Sequence, residues 1–240
     1  MAAKLEYARN RWLDEMVDRP GSAPELFPAH GLNDALITLI NSRYARVLDG
    51  AAAASFFPVL SELQTRHGLS LILDGARFGG FAPSITLEEY AVHARARHGP
   101  VRAPVDAVLL LVEAKDSLLR RARSSWHNWA LGVQFYDDAL DVEGDFRNHN
   151  LTWAVGRALH PFRPASNDLT GRSLPDPDTF YERALAEGVV SEALDHAELF
   201  FAESARLAEP AFPSWVDFQR ACMSQVRRLR EDYEKLVAGT

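Results

Sequence analysis

Between Trp126 and Asp145 the chain reads WHNWALGVQFYDDALDVEGD, and four of its polar residues are spaced in a way that could do chemistry. Gln134, Asp137, Asp141 and Asp145 stand at i, i+3, i+7 and i+11. Residues three and four apart share one face of a helix, so these four form a stripe, with Asp138 and Glu143 to its sides. Leu131, Val133, Phe135, Leu140 and Val142 make the rest of the surface apolar enough for burial in a bundle. Like charges one turn apart repel by roughly 0.2–0.5 kcal/mol per pair even in water, and by more in dry surroundings. No lysine or arginine stands at i±4 of the stripe aspartates. A solvated acidic face is the competing reading, but the apolar setting predicts a cation on the stripe. Oxygen-only ligands suit Mg²⁺, which takes one or two carboxylates and completes its shell with substrate phosphates. A calcium loop is excluded: its glycine would be Gly144, which puts Ala139 at the first ligand position.

LGVQFYDDALDVEGD resembles the second aspartate-rich motif of trans-prenyl diphosphate synthases, where a glutamine shortly precedes DDxxD and a Gly-Asp follows. The spacing of Asp137, Asp141 and Asp145 is also similar to the second metal motif of class I terpene cyclases. The resemblance implies the class I isoprenoid synthase fold, an all-α helical bundle forming one domain over residues 1–240.

Helices must position such a stripe, and the composition supplies them. The 240 residues are 47% hydrophobic and 25% charged, an ordinary globular mix. A net charge of −7 argues against nucleic acid and against an anionic membrane surface. A single cysteine, Cys222, excludes an internal disulfide and a cysteine-based metal site. The longest apolar run, around Val105–Val112, is too short to span a bilayer. The first residues hold no signal-peptide core, so a cytoplasmic protein is expected, and the sequon Asn150-Leu151-Thr152 carries little meaning. Apolar periodicity predicts helices over about 3–18, 32–48, 51–67, 86–98 and 105–125. The central stretch is a further helix, and three more follow over about 178–187, 191–208 and 214–237. Thr86 with Glu89 is a capping box. GARFGG lacks the ending and preceding strand of a phosphate loop and is read as a turn. Proline-rich segments at 21–31 and 161–177 are read as loops, the second as a lid or surface connection. The histidines show no metal-binding spacing, and no serine sits in a nucleophile elbow.

The first helix carries Asp14, Glu15 and Asp18 in DEMVD, with Asp14 and Asp18 at i, i+4. DEMVD resembles a variant of the family's first aspartate-rich motif, with Glu15 where the family has aspartate, and HGLNDALITLI is similar to the segment that follows it. TLEEYAVHARARHG resembles the helix in which a tyrosine precedes a Lys-Thr pair on diphosphate. Counting from Tyr90, Arg97 and His98 take those places, with Arg95 on another side of the helix. Arginine is a competent bidentate phosphate ligand. Arg19-Pro20-Gly21 stands where the family has Arg-Arg-Gly, and RRLREDY aims one of Arg227, Arg228 and Arg230, with Tyr233, at a diphosphate. The resemblance implies Mg²⁺ bound by Asp14, Glu15, Asp18, Asp137, Asp138, Asp141 and Asp145, with Gln134, Arg19, Arg95, Arg97 and Arg228 on the prenyl diphosphate.

In the family, helices before the first motif carry a Gly-Lys-Arg and further basic residues that hold isopentenyl diphosphate. Thirteen residues precede Asp14 here, so the expected bundle is shortened at its N-terminus. The expectation is Mg²⁺-dependent ionisation of an allylic prenyl diphosphate. Cyclisation of one prenyl chain is preferred over elongation, in a cavity walled by Trp12, Trp129, Phe135 and Tyr136. Apolar residues of the first helix, Leu5, Trp12 and Met16, would then need a second copy or a partner subunit. The alternative is a non-catalytic subunit that pairs with a full-length prenyl diphosphate synthase.

Overall fold

The apolar periodicity is realised as helices. The computed structural model describes residues 1–18, 23–79, 86–160 and 174–238. Its helices are α1 (Ala2–Asp18), α2 (Ala23–Tyr44), α3 (Gly50–Gly79), α4 (Leu87–His98), α5 (Ala103–Leu111), α6 (Asp116–Arg147), α7 (Trp153–Leu159), α8 (Pro177–Ala186), α9 (Val189–Ala208) and α10 (Pro213–Ala238). A 3₁₀ turn (Gly99–Arg102) joins α4 to α5, and there is no strand among the described residues. None of the described helices is long and apolar enough to cross a membrane.

The helix starts follow local chemistry. Thr86 and Glu89 form the expected capping box, with Thr86 N donating to Glu89 Oε2 at 2.9 Å and Glu89 N to Thr86 Oγ1 at 3.2 Å. Asp176 caps α8 by accepting from Thr179 N at 3.0 Å, with Pro177 at the first helical position. Two helix ends carry no sequence signal. α5 stops in a Schellman motif: Ala114 N donates to Leu109 O at 2.9 Å and Glu113 N to Leu110 O at 3.1 Å. α6 stops the same way, through Asn150 N to Asp145 O at 2.8 Å and His149 N to Phe146 O at 3.2 Å. The left-handed residue, usually glycine, is Glu113 (φ +50°) in one and His149 (φ +60°) in the other. Glu113→Gly should therefore raise stability by up to about 1 kcal/mol. Thermal unfolding of the variant checks this, and a loss of stability would contradict it.

The chain forms two compact units. Unit 1 comprises residues 1–73 and 95–123, and unit 2 residues 74–94 and 124–240. In unit 1, Ile40, Tyr44, Phe56, Leu60, Ala103 and Ala107 make the core, and Leu5 of α1 packs half-buried against it. Buried Asp106 is held between Arg102 and Arg123, each guanidinium Nε 3.1 Å from its carboxylate. In unit 2, the apolar face of α9 (Val190, Leu194, Ala197, Phe201) is laid against the core formed with α6, α7, α8 and α10. Phe146 stacks on Phe180 with ring centroids 3.9 Å apart. A Cβ at Gly132 would sit 2.7 Å from the Phe201 ring, so glycine lets α6 and α9 approach closely here.

Several boundaries differ from those read in the sequence. α2 begins at Ala23, inside the stretch read as a proline-rich loop. α3 continues through Gly68 as far as Gly79, where a break was expected after His67. A Cβ at Gly68 would meet nothing, so that glycine costs the helix only its propensity, about 1 kcal/mol. The helix expected over 105–125 is two, parted by the Schellman turn. Helix α7 stands in a segment read as a loop, and Thr152 caps it by accepting from Val155 N. Arg19 and residues 161–173 of the lid expected over 161–177 lie outside the described residues, as do the side chains of Asp14, Glu15, Met16 and Asp18 in α1.

Candidate metal centre

Helix α6 positions the acidic stripe, and its burial pattern divides it. Leu131, Phe135, Ala139, Val142 and Phe146 face the unit 2 core, and Gln134 and Asp138 are buried among them. Asp137 and Asp141, one turn apart, are exposed, with half-exposed Leu140 beside them, and Asp145 is half-buried. The four residues of the predicted stripe therefore do not share one environment. At 3.6 residues per turn an i+3 step falls about 60° short of a full turn and an i+4 step passes it by about 40°, so from Gln134 the helix turns Asp138 towards the core and Asp137 away from it.

Asp138, predicted as a metal ligand, holds the interior together instead. Its Oδ2 accepts from Tyr90 Oη at 2.5 Å, from Trp153 N at 3.1 Å and from Ala154 N at 3.4 Å. Its Oδ1 accepts from Gln134 Nε2 at 3.2 Å. One carboxylate thus ties α6 to α4 and to the first N–H groups of α7, where the helix dipole favours a negative charge. Burial pushes its carboxyl up to about 6. The bonds from Tyr90, Gln134 and Ala154 pull it down, and the neighbouring Asp137 charge adds to the rise. With four donors already on it, Asp138 is not available to an ion. Gln134, predicted on the diphosphate side, is 3% exposed and engaged with Asp138. Tyr90 and the start of α7 were not predicted as part of this anchor. The signal was the pair Asn150-x-Thr152 followed by an apolar run, a helix N-terminus that buried acid can cap.

Other predicted residues fall elsewhere. Asp145 Oδ1 accepts from Asn150 Nδ2 at 3.4 Å, beside the Schellman turn that ends α6. Arg228 is exposed and donates from Nε to Ser224 O of its own helix at 3.3 Å. Arg227 and Arg230 pair with Glu198, and Arg230 also with Asp195, so they bind α10 to α9. Tyr233 Oη donates to Leu185 O at 3.0 Å. In unit 1, Arg95 is exposed, and half-buried Arg97 lends its carbonyl to His67. Phe135, expected on a cavity wall, is fully buried between Tyr90, Trp153 and Phe200. Trp129 packs with Trp126, Trp215 and Phe218 of unit 2, while Tyr136 lies half-buried against the same core and Trp12 is half-buried in unit 1.

The remaining carboxylates set what the stripe can hold. Among the described residues no group of three His, Cys, Asp or Glu side chains is close enough to hold a metal ion. Asp137 and Asp141 are separated by one helical turn, about 6 Å of rise. Asp137 and Asp145 are separated by twice that, beyond the reach of one ion. The described stripe thus offers two neighbouring, solvent-accessible oxygen ligands. That donor set is too small for Ca²⁺ or a structural Zn²⁺ site, but it fits Mg²⁺, provided phosphate oxygens and water complete the octahedron.

No family model matches the chain, and no curated protein sequence matches it. Among solved structures it is similar to a geranylgeranyl pyrophosphate synthetase from the archaeon Geoglobus acetivorans. The TM-score is 0.72 over 92% of this chain and 76% of that one, at 15% sequence identity. What the two share is the backbone: this chain has the all-α fold of the trans-prenyl diphosphate synthases, a class I isoprenoid synthase fold.

Proposed function

We propose that the chain binds an allylic prenyl diphosphate together with Mg²⁺ and ionises it, releasing pyrophosphate and transferring or cyclising the prenyl group. The observation that carries this reading is the placement of one motif within this fold. The DDxxD of α6 leaves Asp137 and Asp141 accessible one turn apart, while the aspartate between them is drawn inside as an anchor. The solved structure that shares the fold is named for a prenyl diphosphate synthetase, which supports the same substrate class.

In this reading Asp137 and Asp141 would hold the ion. Mg²⁺, when bound, supplies the positive charge that stabilises the departing diphosphate. The allylic C–O bond breaks, its electron pair leaves with the diphosphate oxygen, and an allylic cation remains. Asp138, Tyr90 and the α7 N-terminus fix the rotation of α6, so that Asp137 and Asp141 stay on its exposed side. Asp14, Glu15 and Asp18 are proposed as a further acidic cluster for the same chemistry, on the strength of their motif.

Binding can be measured without turnover. At 100 times the dissociation constant, Mg²⁺ with inorganic pyrophosphate should stabilise the protein by about 2.7 kcal/mol. For a chain of this length that is a rise of roughly 5–10 °C in the unfolding midpoint. Neither component alone should produce it, and Asp137→Asn should remove most of it. An unchanged midpoint at saturating concentrations of both would count against a working site.

A further inference from the structure

Unit 1 contains a buried polar cluster that the proposed reaction does not use. Glu6 and Arg9, on adjacent turns of α1, are 1% and 3% exposed. Gln64, His67 and Ser70 face inward from α3, and Tyr44 from the end of α2. Part of the cluster is satisfied directly. Gln64 Nε2 donates to Glu6 Oε1 at 3.3 Å, Arg9 Nε to Asn33 Oδ1 at 2.8 Å, and Ser70 Oγ to His67 O at 2.8 Å. Three polar atoms are not: Glu6 Oε2, Tyr44 Oη and His67 Nε2 are buried and have no hydrogen-bond partner among the described residues. They belong to one neighbourhood. Gln64 is bonded to Glu6, His67 stands one turn further along α3, and Leu5, next to Glu6, packs on the cluster that contains Tyr44. Three orphaned polar atoms in one neighbourhood are costly, because each has given up its bonds to water.

Their chemistry says what is missing. His67 Nδ1 lies 2.8 Å from Arg97 O, and a carbonyl oxygen only accepts. Nδ1 therefore carries the hydrogen. Burial pushes the imidazole down to about 4, so the ring is neutral at ordinary pH and Nε2 presents a bare lone pair. Tyr44 keeps its proton, since burial and the nearby Glu6 both push its hydroxyl up. The cluster thus presents one acceptor at His67, one donor at Tyr44, and a Glu6 oxygen that accepts when ionised and donates when protonated. A cation does not fit. Only two of the groups are metal ligands of the usual kinds, the tyrosine is held protonated, and Arg9 is close by. An anion does not fit beside a carboxylate and a bare imidazole nitrogen. A neutral molecule with two hydrogens and two lone pairs matches both states of Glu6. With Glu6, Tyr44 and His67 at 1%, 4% and 1% exposure, it must be small.

We propose that one internal water molecule is a fixed part of unit 1, donating to His67 Nε2, accepting from Tyr44 Oη and bonded to Glu6 Oε2. It would join α1, α2 and α3 through roughly three hydrogen bonds, the usual number for buried water in a polar cavity. Glu6, Tyr44 and His67 then become parts of one three-helix joint.

The test is a crystal structure of the whole wild-type chain at high resolution. A single well-ordered density peak is expected at about 2.7–3.2 Å from each of the three atoms, refining as oxygen with no anomalous signal. A dry site, a direct bond between any two of the three, or a metal ion in the peak would each overturn the proposal. A solution measurement stands beside it. Tyr44→Phe and His67→Phe each remove one bond to the same water, so their losses of stability should not add. The second substitution should cost no more than about half of what it costs alone, whereas independent sites would add fully. Full additivity would overturn the proposal. If either variant fails to fold, the wild-type density decides.

Discussion

Asp137→Asn should lower Mg²⁺-dependent release of pyrophosphate from an allylic prenyl diphosphate by a factor of hundreds or more, with the fold intact. The substitution preserves shape and removes one formal charge from a pair of accessible ligands on α6. Electrostatic and metal-held stabilisation of a leaving group is commonly worth several kcal/mol, and each 1.36 kcal/mol is tenfold in rate. Asp141→Asn should act alike. The double change Asp137→Asn with Asp141→Asn should cost little beyond either single one, because ligands of one centre act as a unit. Stability should move the other way. Relieving the Asp137–Asp141 repulsion contributes roughly 0.2–0.5 kcal/mol at an exposed helix surface, so the ligand-free variant should unfold no earlier than the wild type. Pyrophosphate release at saturating substrate, set beside a thermal melt, separates the two effects. A variant with full activity would remove Asp137 from the site.

Asp138→Ala should show the opposite division, a large loss of stability. It deletes the common acceptor of Tyr90 Oη, Gln134 Nε2 and two N–H groups of α7. Each buried donor left without a partner costs about 1–3 kcal/mol. Burial holds the Asp138 carboxyl up near 6, so removing it also relieves the cost of a desolvated charge, which offsets part of that loss. A net destabilisation of about 2–4 kcal/mol is expected. Asp138→Asn, which keeps one acceptor, should cost less, and Tyr90→Phe less again. Denaturant unfolding of the three variants gives the order. Asp138→Ala as stable as wild type would mean that α7 is not held through this carboxylate.

The contrast between these neighbouring aspartates shows what was legible in the sequence. That α6 is a helix with a DDxxD motif, and that the chain is all-α, could be read from apolar spacing and from a family resemblance that the backbone comparison bears out. Thr86 and Glu89 marked the start of α4 because a capping box is a local code. The inward turn of Asp138 could not be read, since it depends on Tyr90 and on α7, which lie far away along the chain or in a stretch read as loop. The turns after α5 and α6 were hidden because Glu113 and His149 fill positions where glycine usually announces a helix end. The ion pairs of Arg227 and Arg230 were hidden for a related reason. Their partners Asp195 and Glu198 sit on another helix, and periodicity within one segment says nothing of them.

The central claim is that this chain ionises an allylic prenyl diphosphate with Mg²⁺. Its most direct test is pyrophosphate release by the purified wild-type protein from geranyl, farnesyl and geranylgeranyl diphosphate. Each is assayed with Mg²⁺ and with a chelator, and in parallel with added isopentenyl diphosphate. The account predicts release from at least one substrate that depends on Mg²⁺ and is lost in Asp137→Asn. Release without added isopentenyl diphosphate identifies cyclisation or hydrolysis of a single chain, and release only in its presence identifies elongation. No Mg²⁺-dependent release from any substrate by the chain alone, with activity appearing only beside a complete synthase whose own aspartates are required, would contradict the account and make this chain a non-catalytic subunit.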